Sequence, residues 1–172
     1  MKKRPTVTKQ WFKIDLMLKK IVLLVLVLGG TLFVNTGNAQ NKISQANKDS
    51  LDHTVKAYYD LNLIIFQENS TIEDIDSVFT LFTDDFTYVH PNYGGVYTRE
   101  DLYNGYKRNL EDGGYDGQIV DVKIEQMITG LNAMAISRQY LKKEDEKISV
   151  GESQMTLFEF KQGKIRRIFE YW

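Results

Sequence analysis

The chain has 172 residues, a formal net charge of −1 and no cysteine. Without cysteine no disulfide can hold the fold, so a hydrophobic core must do so alone. The two histidines, His53 and His90, are too far apart in the sequence to suggest a metal site. Glycine-rich nucleotide loops, serine-hydrolase elbows and zinc-protease motifs are absent from the sequence, so we expect neither a metal nor another cofactor.

Residues 1–39 have the pattern of a secretory signal peptide. A lysine-rich start precedes an apolar run of about 14 residues, and small residues follow at Gly37 and Ala39. A membrane anchor is the alternative, but a span needs about 20 apolar residues and two glycines interrupt this run. We therefore predict cleavage after Ala39, a secreted or periplasmic protein, and no stable membrane anchor after cleavage.

Cleavage there leaves 133 residues, which suits a single domain. This part carries 22 acidic and 15 basic residues, a net charge of about −7. Such a surface repels phosphate backbones, so we expect no nucleic-acid partner. Met1 and Met17 both fit as the start, since MLKK before the apolar run already supplies a basic region.

Helical patterns dominate the first half of this part. A polar stretch at 40–49 is predicted to be a flexible leader. Apolar residues at helical spacing, bounded by capping residues, then predict three helices. They lie at 51–67 with Ser50 as cap, at 72–82, and at 99–112 with Thr98 and Asp101 as capping box.

From residue 118 onward the hydrophobic period changes to two. This pattern predicts strands at 118–127, 132–141, 148–160 and 164–172, after an earlier strand at 86–90. Helices followed by a long antiparallel sheet indicate an α+β domain over 50–172, with three N-terminal helices packed on one face of the sheet.

The order of these motifs resembles the nuclear transport factor 2 superfamily. The resemblance rests on DIDSVFTLFTDDFTYVHP, a glycine-rich loop, TRED at a helix start and the closing GKIRRIFEYW. The nearest likeness is to its SnoaL-like polyketide cyclases and steroid delta-isomerases. It implies a curved, mainly antiparallel sheet wrapped over the helices into a cone-shaped pocket, and often a homodimer through the outer sheet face. Members include enzymes, binding modules and inactive relatives, so the fold leaves the function open.

The same resemblance assigns a few positions. In the isomerases a proton-shuttling carboxylate precedes a proline, and the matching residue here is His90, which can also exchange a proton near neutral pH. Tyr59 is the nearest candidate for their helix-one tyrosine. Their sheet carboxylic acid is matched by Met155, which cannot donate a hydrogen bond. The aromatic residue that closes their pocket is matched by Trp172.

Alternation along the strands predicts which side chains share a face. Within 132–141 the set Met134, Ile136, Arg138 and Tyr140 competes with Ala133, Ala135 and Ser137, and we prefer the first because the epoxide-hydrolase branch has a comparable pocket arginine. Glu170 and Arg138 could pair across the pocket or form a structural salt bridge. The predicted ligand-binding residues are Tyr59, Phe86, Tyr88, His90, Arg138, Tyr140, Met155, Ile168, Glu170 and Trp172, with His90 and Tyr88 as candidate catalytic residues.

Three functions fit these patterns. The leading hypothesis is binding of a small apolar molecule in the cone pocket, because the predicted lining is aromatic and Met155 stands where a donor is needed. The second is a cofactor-independent isomerase, cyclase or dehydratase that uses His90, with Tyr88 and Arg138. The third is an envelope interaction module, or a homodimer, formed through the outer-face residues Ile165, Arg167, Phe169 and Tyr171.

Overall fold

The computed structural model describes residues 44–172, which form three helices and a seven-stranded sheet. The helices are α1 (Gln45–Ile65), α2 (Ile72–Phe79) and α3 (Arg99–Glu111). The predicted cap of α3 is confirmed: Thr98 accepts from the backbone N–H of Asp101, whose carboxylate accepts from the backbone N–H of Thr98. Such reciprocal bonds satisfy N–H groups that a helix start leaves unpaired.

The first helix begins six residues earlier than predicted. The Ser44 hydroxyl accepts a 3.1 Å hydrogen bond from the backbone N–H of Asn47, so Ser44 is the cap and Ser50 lies inside the helix. The prediction of a flexible leader is therefore wrong for residues 45–49, which form the exposed first turns of α1. The predicted signal peptide and its cleavage site lie outside the described residues. None of the helices within 44–172 is long and apolar enough to cross a membrane.

The strands form one open, mainly antiparallel sheet. They are β1 (Phe82–His90), β2 (Gly95–Thr98), β3 (Ile119–Thr129), β4 (Ala133–Glu144), β5 (Lys147–Val150), β6 (Gln154–Lys161) and β7 (Lys164–Tyr171). Their order is β2-β1-β7-β6-β4-β3, with β5 paired to the end of β4. Only the β1–β7 pair within this sheet is parallel. The predicted α+β class, with helices packed on a cone-like sheet, is confirmed.

Two further element boundaries differ from prediction. The second helix ends at Phe79, and the chain enters β1 at Phe82, where the aromatic side chain packs in the core instead of extending the helix. The predicted strand 148–160 is two strands. The backbone N–H of Gly151 bonds the carbonyl of Tyr140 at 2.8 Å, and residues 151–153 form a break between β5 and β6, which both pair with β4.

The core lies between the helices and the inner face of the sheet. Of the two sets that compete on β4, the preferred one faces the core, since Met134, Ile136 and Arg138 are all at most 2% exposed. Aromatic residues fill the centre, where Tyr58 contacts Phe158 edge to face at 5.3 Å between ring centroids. Burying each large side chain of this kind contributes about 1.5–3 kcal/mol, which compensates for the missing disulfides.

A β-bulge in β7 places Ile165 on the opposite face of the sheet from the one predicted. Phe160 pairs with Ile165 while its neighbour Glu159 pairs with Arg167, so Arg166 is an extra residue in the ladder. The extra residue shifts the alternation, and Ile165 is fully buried in the core. The prediction that Ile165 belongs to the outer face is therefore wrong.

Candidate functional site

An open cavity of about 800 Å³ lies between α3, the inner face of β1 and β2, and the end of β7. We call it the α3 cavity. Its walls are mostly aromatic, and exposed polar residues of α3 surround its mouth. The lining residues are Tyr88, His90, Tyr93, Tyr97, Asp101, Leu102, Asn104, Gly105, Tyr106, Arg108, Asn109, Tyr115 and Trp172.

His90 is the last residue of β1 and is only 2% exposed. Its imidazole lies between two aromatic rings, 4.2 Å from Tyr93 and 4.5 Å from Trp172 between ring centroids. Neither Nδ1 nor Nε2 has a hydrogen-bond partner among the described residues. An unsatisfied buried polar group typically costs about 1–3 kcal/mol, so this imidazole is a group that a ligand could satisfy.

Tyr88 lies on the same face of β1, with its ring centroid 6.2 Å from that of His90. We find no hydrogen-bond partner of its hydroxyl within residues 44–172. Burial raises the pKa of the Tyr88 phenol far above its ordinary value, and the nearby Glu170 adds to this shift. Tyr88 therefore keeps its proton at neutral pH and can donate a hydrogen bond into the cavity.

A buried polar network lies beneath the cavity, centred on Glu170. Its Oε2 accepts hydrogen bonds of 2.7 Å from the indole Nε1 of Trp172 and 2.7 Å from the Thr156 hydroxyl. The same oxygen lies 3.5 Å from Nη2 of Arg138. The predicted Arg138–Glu170 pair is thus confirmed as an ion pair.

All three guanidinium nitrogens of Arg138 have polar partners within the protein. Its Nε donates to the Tyr59 hydroxyl at 3.0 Å, and its Nη1 donates to the side chain of Gln154. The guanidinium carbon lies 4.3 Å from the centre of the Tyr140 ring, a cation–π contact. These contacts occupy the network internally, and Tyr59, Arg138, Tyr140 and Glu170 do not line the α3 cavity.

No protein-family model matches this sequence, and no curated protein gives a significant match. Solved structures do match. An LEH-like epoxide hydrolase from M. tuberculosis aligns at 19% identity over 72% of this chain and 82% of its own, with a TM-score of 0.50. A nuclear transport factor 2-like protein of unknown function from Burkholderia pseudomallei K96243 aligns at 12% identity over 72% and 90%, also with a TM-score of 0.50.

The chain has the nuclear transport factor 2-like fold. The predicted resemblance is confirmed at this level. A third structure, a protein of unknown function with a cystatin-like fold from Xanthomonas campestris, aligns at 13% identity over 70% of this chain and 88% of its own, with a TM-score of 0.50. Identities this low carry the fold and no activity.

The nuclear transport factor 2-like fold brings together some of the predicted site residues and separates others. Tyr88, His90 and Trp172 line one cavity, as predicted. Phe86 stacks on Phe82 at 4.0 Å between ring centroids in the core, and Ile168 is fully buried. Neither lines the α3 cavity, so their contact with a ligand stays a prediction.

Met155 is also misplaced by the prediction. It is 45% exposed and lies on the outer face of β6, the face turned away from the helices, while its neighbour Thr156 points inward and is fully buried. Met155 is therefore not a pocket residue of this nuclear transport factor 2-like domain. Neighbouring residues of a strand point to opposite faces, so Met155 cannot take the inward position that the resemblance assigned to it.

Most of the wall was missed by sequence reasoning. Tyr93, Tyr97, Tyr106 and Tyr115 come from a turn, a short strand, a helix and a loop, so no single periodic pattern joins them. One signal was available: six of the ten tyrosines fall between residues 88 and 115. Among residues 44–172, no three His, Cys, Asp or Glu side chains form a group that could hold a metal ion.

Proposed function

We propose that this domain binds a small, neutral, mainly apolar molecule in the α3 cavity. The observation that carries the proposal is the unpartnered imidazole of His90, which lines an aromatic cavity together with Tyr88. Aromatic walls supply apolar contact area, and a few directed polar groups orient the bound molecule. The volume of about 800 Å³ is in the range of pockets that hold drug-sized ligands.

The charges around the cavity support a neutral ligand. Arg138 and Glu170 neutralise each other beneath the wall. The carboxylate of Asp101 accepts hydrogen bonds from Thr98, which lowers its pKa and commits it to the helix cap. Arg108 is exposed at the mouth, where water screens its charge.

Native mass spectrometry of the purified protein tests this proposal. We expect a retained or added neutral molecule to remain bound, and Tyr88→Phe to weaken it about 10-fold, the effect of one hydrogen bond. Met155→Ala on the outer face is the matched control and should bind as wild type does. Binding that is equal in both variants, or absent from wild type, would contradict the proposal.

A second candidate is acid–base catalysis by His90, favoured by the same free nitrogen atoms. A neutral imidazole can take a proton from a bound molecule at one carbon and return it at another, with the Tyr88 hydroxyl donating to the oxygen that gains charge. Once a bound molecule is identified, its isomerisation or dehydration is measured with wild type and His90→Gln. Unchanged affinity with abolished turnover supports catalysis; no turnover by wild type leaves binding as the function.

Separately from the cavity, we propose that the outer face of the sheet forms a homodimer interface. An apolar row crosses six strands through the paired residues Val96, Val89, Phe169, Leu157, Ala135 and Ile128. Its two end residues are 67% and 68% exposed. Exposed apolar rows of this extent are typical of association surfaces, and an interaction module built on another partner would use the same face.

Export remains a proposal that rests on the sequence of residues 1–39. A basic start, an apolar run and small residues before position 40 support it. Mass spectrometry of the protein from its native host tests it directly, because cleavage after Ala39 gives an N-terminal peptide that begins at Gln40. An intact N-terminus would contradict the proposal.

A further inference from the structure

One glycine of the α3 cavity lies in a place where glycine is unfavourable. Gly105 occupies the middle of α3, and it is the only glycine inside a helix within residues 44–172. Glycine in a helix interior is destabilising compared with alanine, because it loses the most backbone freedom on folding. The position of Gly105 is therefore unusual, and its surroundings show what the missing side chain leaves open.

The usual structural reasons are missing at this position. The φ angle of Gly105 is not in the left-handed region, unlike those of Gly94, Gly113 and Gly163 in turns. Nor does another part of the fold approach closely. A Cβ built at residue 105 would meet, outside its own helix backbone and within 4 Å, only Nη2 of Arg108 at 3.9 Å.

The missing side chain instead leaves a gap in the cavity wall. Gly105 lines the α3 cavity, and so do Asp101 and Asn109, one turn before it and one turn after it. At a rise of 1.5 Å per residue these two side chains start about 12 Å apart along the helix, and between them the Arg108 guanidinium approaches the Cβ position of residue 105 at 3.9 Å. The sheet side of the same cavity carries Tyr88 and Tyr97.

We propose that Gly105 is a specificity-determining contact, where a ring of the bound molecule lies directly against the backbone of α3. This inference rests on the proposed binding function and adds to it a site of closest approach. The aromatic rings of β1 and β2 would cover the other side of the ligand ring, so the cavity selects molecules by thickness. His90, whose ring nitrogens have no partner among the described residues, and the Tyr88 hydroxyl would bind its polar group.

The inference is tested by substitutions that add a side chain at position 105 and so fill the gap in the cavity wall. Isothermal titration calorimetry is run with two neutral flat probes, indole and 2-naphthol, and the tighter of the two is used for all variants. We expect Gly105→Ala to weaken binding about 10-fold and Gly105→Leu to abolish it, because added methyl groups in a fitted pocket are strongly rejected. Gly105→Ala should meanwhile raise the melting temperature by about 2–5 °C, since alanine favours the helix.

Glu111→Ala is the matched control, since Glu111 is exposed on the same helix and does not line the cavity. It should bind the probe as wild type does. Equal affinity of wild type, Gly105→Ala and Gly105→Leu would overturn the inference while the proposed binding function stands, provided that Tyr88→Phe still weakens binding. If wild type binds neither probe, both proposals fail.

Discussion

The indole Nε1 of Trp172 donates a 2.7 Å hydrogen bond to Oε2 of Glu170, a carboxylate that is itself buried. The same indole ring meets the His90 imidazole edge to face at 4.5 Å between ring centroids. Glu170 therefore positions the ring that covers His90, although it does not line the cavity itself. Thr156 and Arg138 hold the Glu170 carboxylate in turn. A chain of contacts therefore runs from the buried core through Glu170 to Trp172 in the cavity wall.

Removal of the Glu170 carboxylate should destabilise the protein strongly. Glu170→Ala leaves the Arg138 guanidinium buried without its counter-charge, and breaking such a pair costs about 3–5 kcal/mol. Glu170→Gln keeps the shape and one acceptor, so its loss should be smaller. Urea unfolding measures both variants. A loss below about 1 kcal/mol for Glu170→Ala would mean that the pair contributes little net stability.

Tyr93 should control access to His90. Its ring covers the imidazole at 4.2 Å but is itself 65% exposed, and it lies in the short 3-10 turn Pro91–Tyr93 just before two glycines. In Tyr93→Ala we expect diethyl pyrocarbonate to modify His90 several-fold faster than in wild type. Peptide mass spectrometry measures the rate.

Within the same experiment, His53 provides the internal control. It is exposed on α1, so its modification rate should be the same in both proteins. An unchanged rate at His90 would contradict the role of Tyr93 as a cover of the imidazole.

Stability should fall at alkaline pH. Burial raises the pKa values of Tyr58 and Tyr59 far above the ordinary value, and burial also raises that of Tyr88. The unfolded chain ionises these phenols near pH 10, while the folded chain keeps them protonated. The contribution is therefore fully present below pH 10 and is lost as the pH rises above it, by up to about 1.4 kcal/mol per pH unit for each tyrosine.

Chemical denaturation between pH 8 and pH 11.5 measures this loss. Tyr58→Phe provides the comparison, because phenylalanine has no proton to release from the unfolded chain. Its stability should therefore decline less steeply above pH 10 than that of wild type. Parallel declines would contradict the assignment of Tyr58 as a phenol that stays protonated in the folded state.

Ile128→Lys should convert the proposed homodimer into a monomer. Ile128 is 68% exposed at one end of the apolar row, so a lysine there should fold normally but place a charge in the interface. Light scattering after size-exclusion chromatography measures the mass. Ile148→Lys, at an exposed position of β5 away from the row, is the matched control. A monomeric wild type would remove the homodimer proposal.

The sequence by itself determined the features that depend on near neighbours. Helix caps, such as Thr98 with Asp101, involve residues three apart and follow from local backbone chemistry. The α+β class follows from hydrophobic periods of 3.6 and 2 residues, whereas the choice between the two faces of β4 rested on a family resemblance. The same alternation placed Tyr88 and His90 together on one face of β1, where the structure has them.

Only the tertiary structure decided how those faces are used. A bulge at Arg166 turns Ile165 into the core, because one extra residue reverses the face of a strand. Met155 lies on the outer face, because neighbouring residues of a strand point to opposite faces. The cavity wall combines a turn, a strand, a helix and a loop that are brought together by long-range packing. The hydrophobic period along the sequence does not depend on such long-range packing. Tyr93 and Gly105 could therefore be assigned to the cavity wall only from the folded chain.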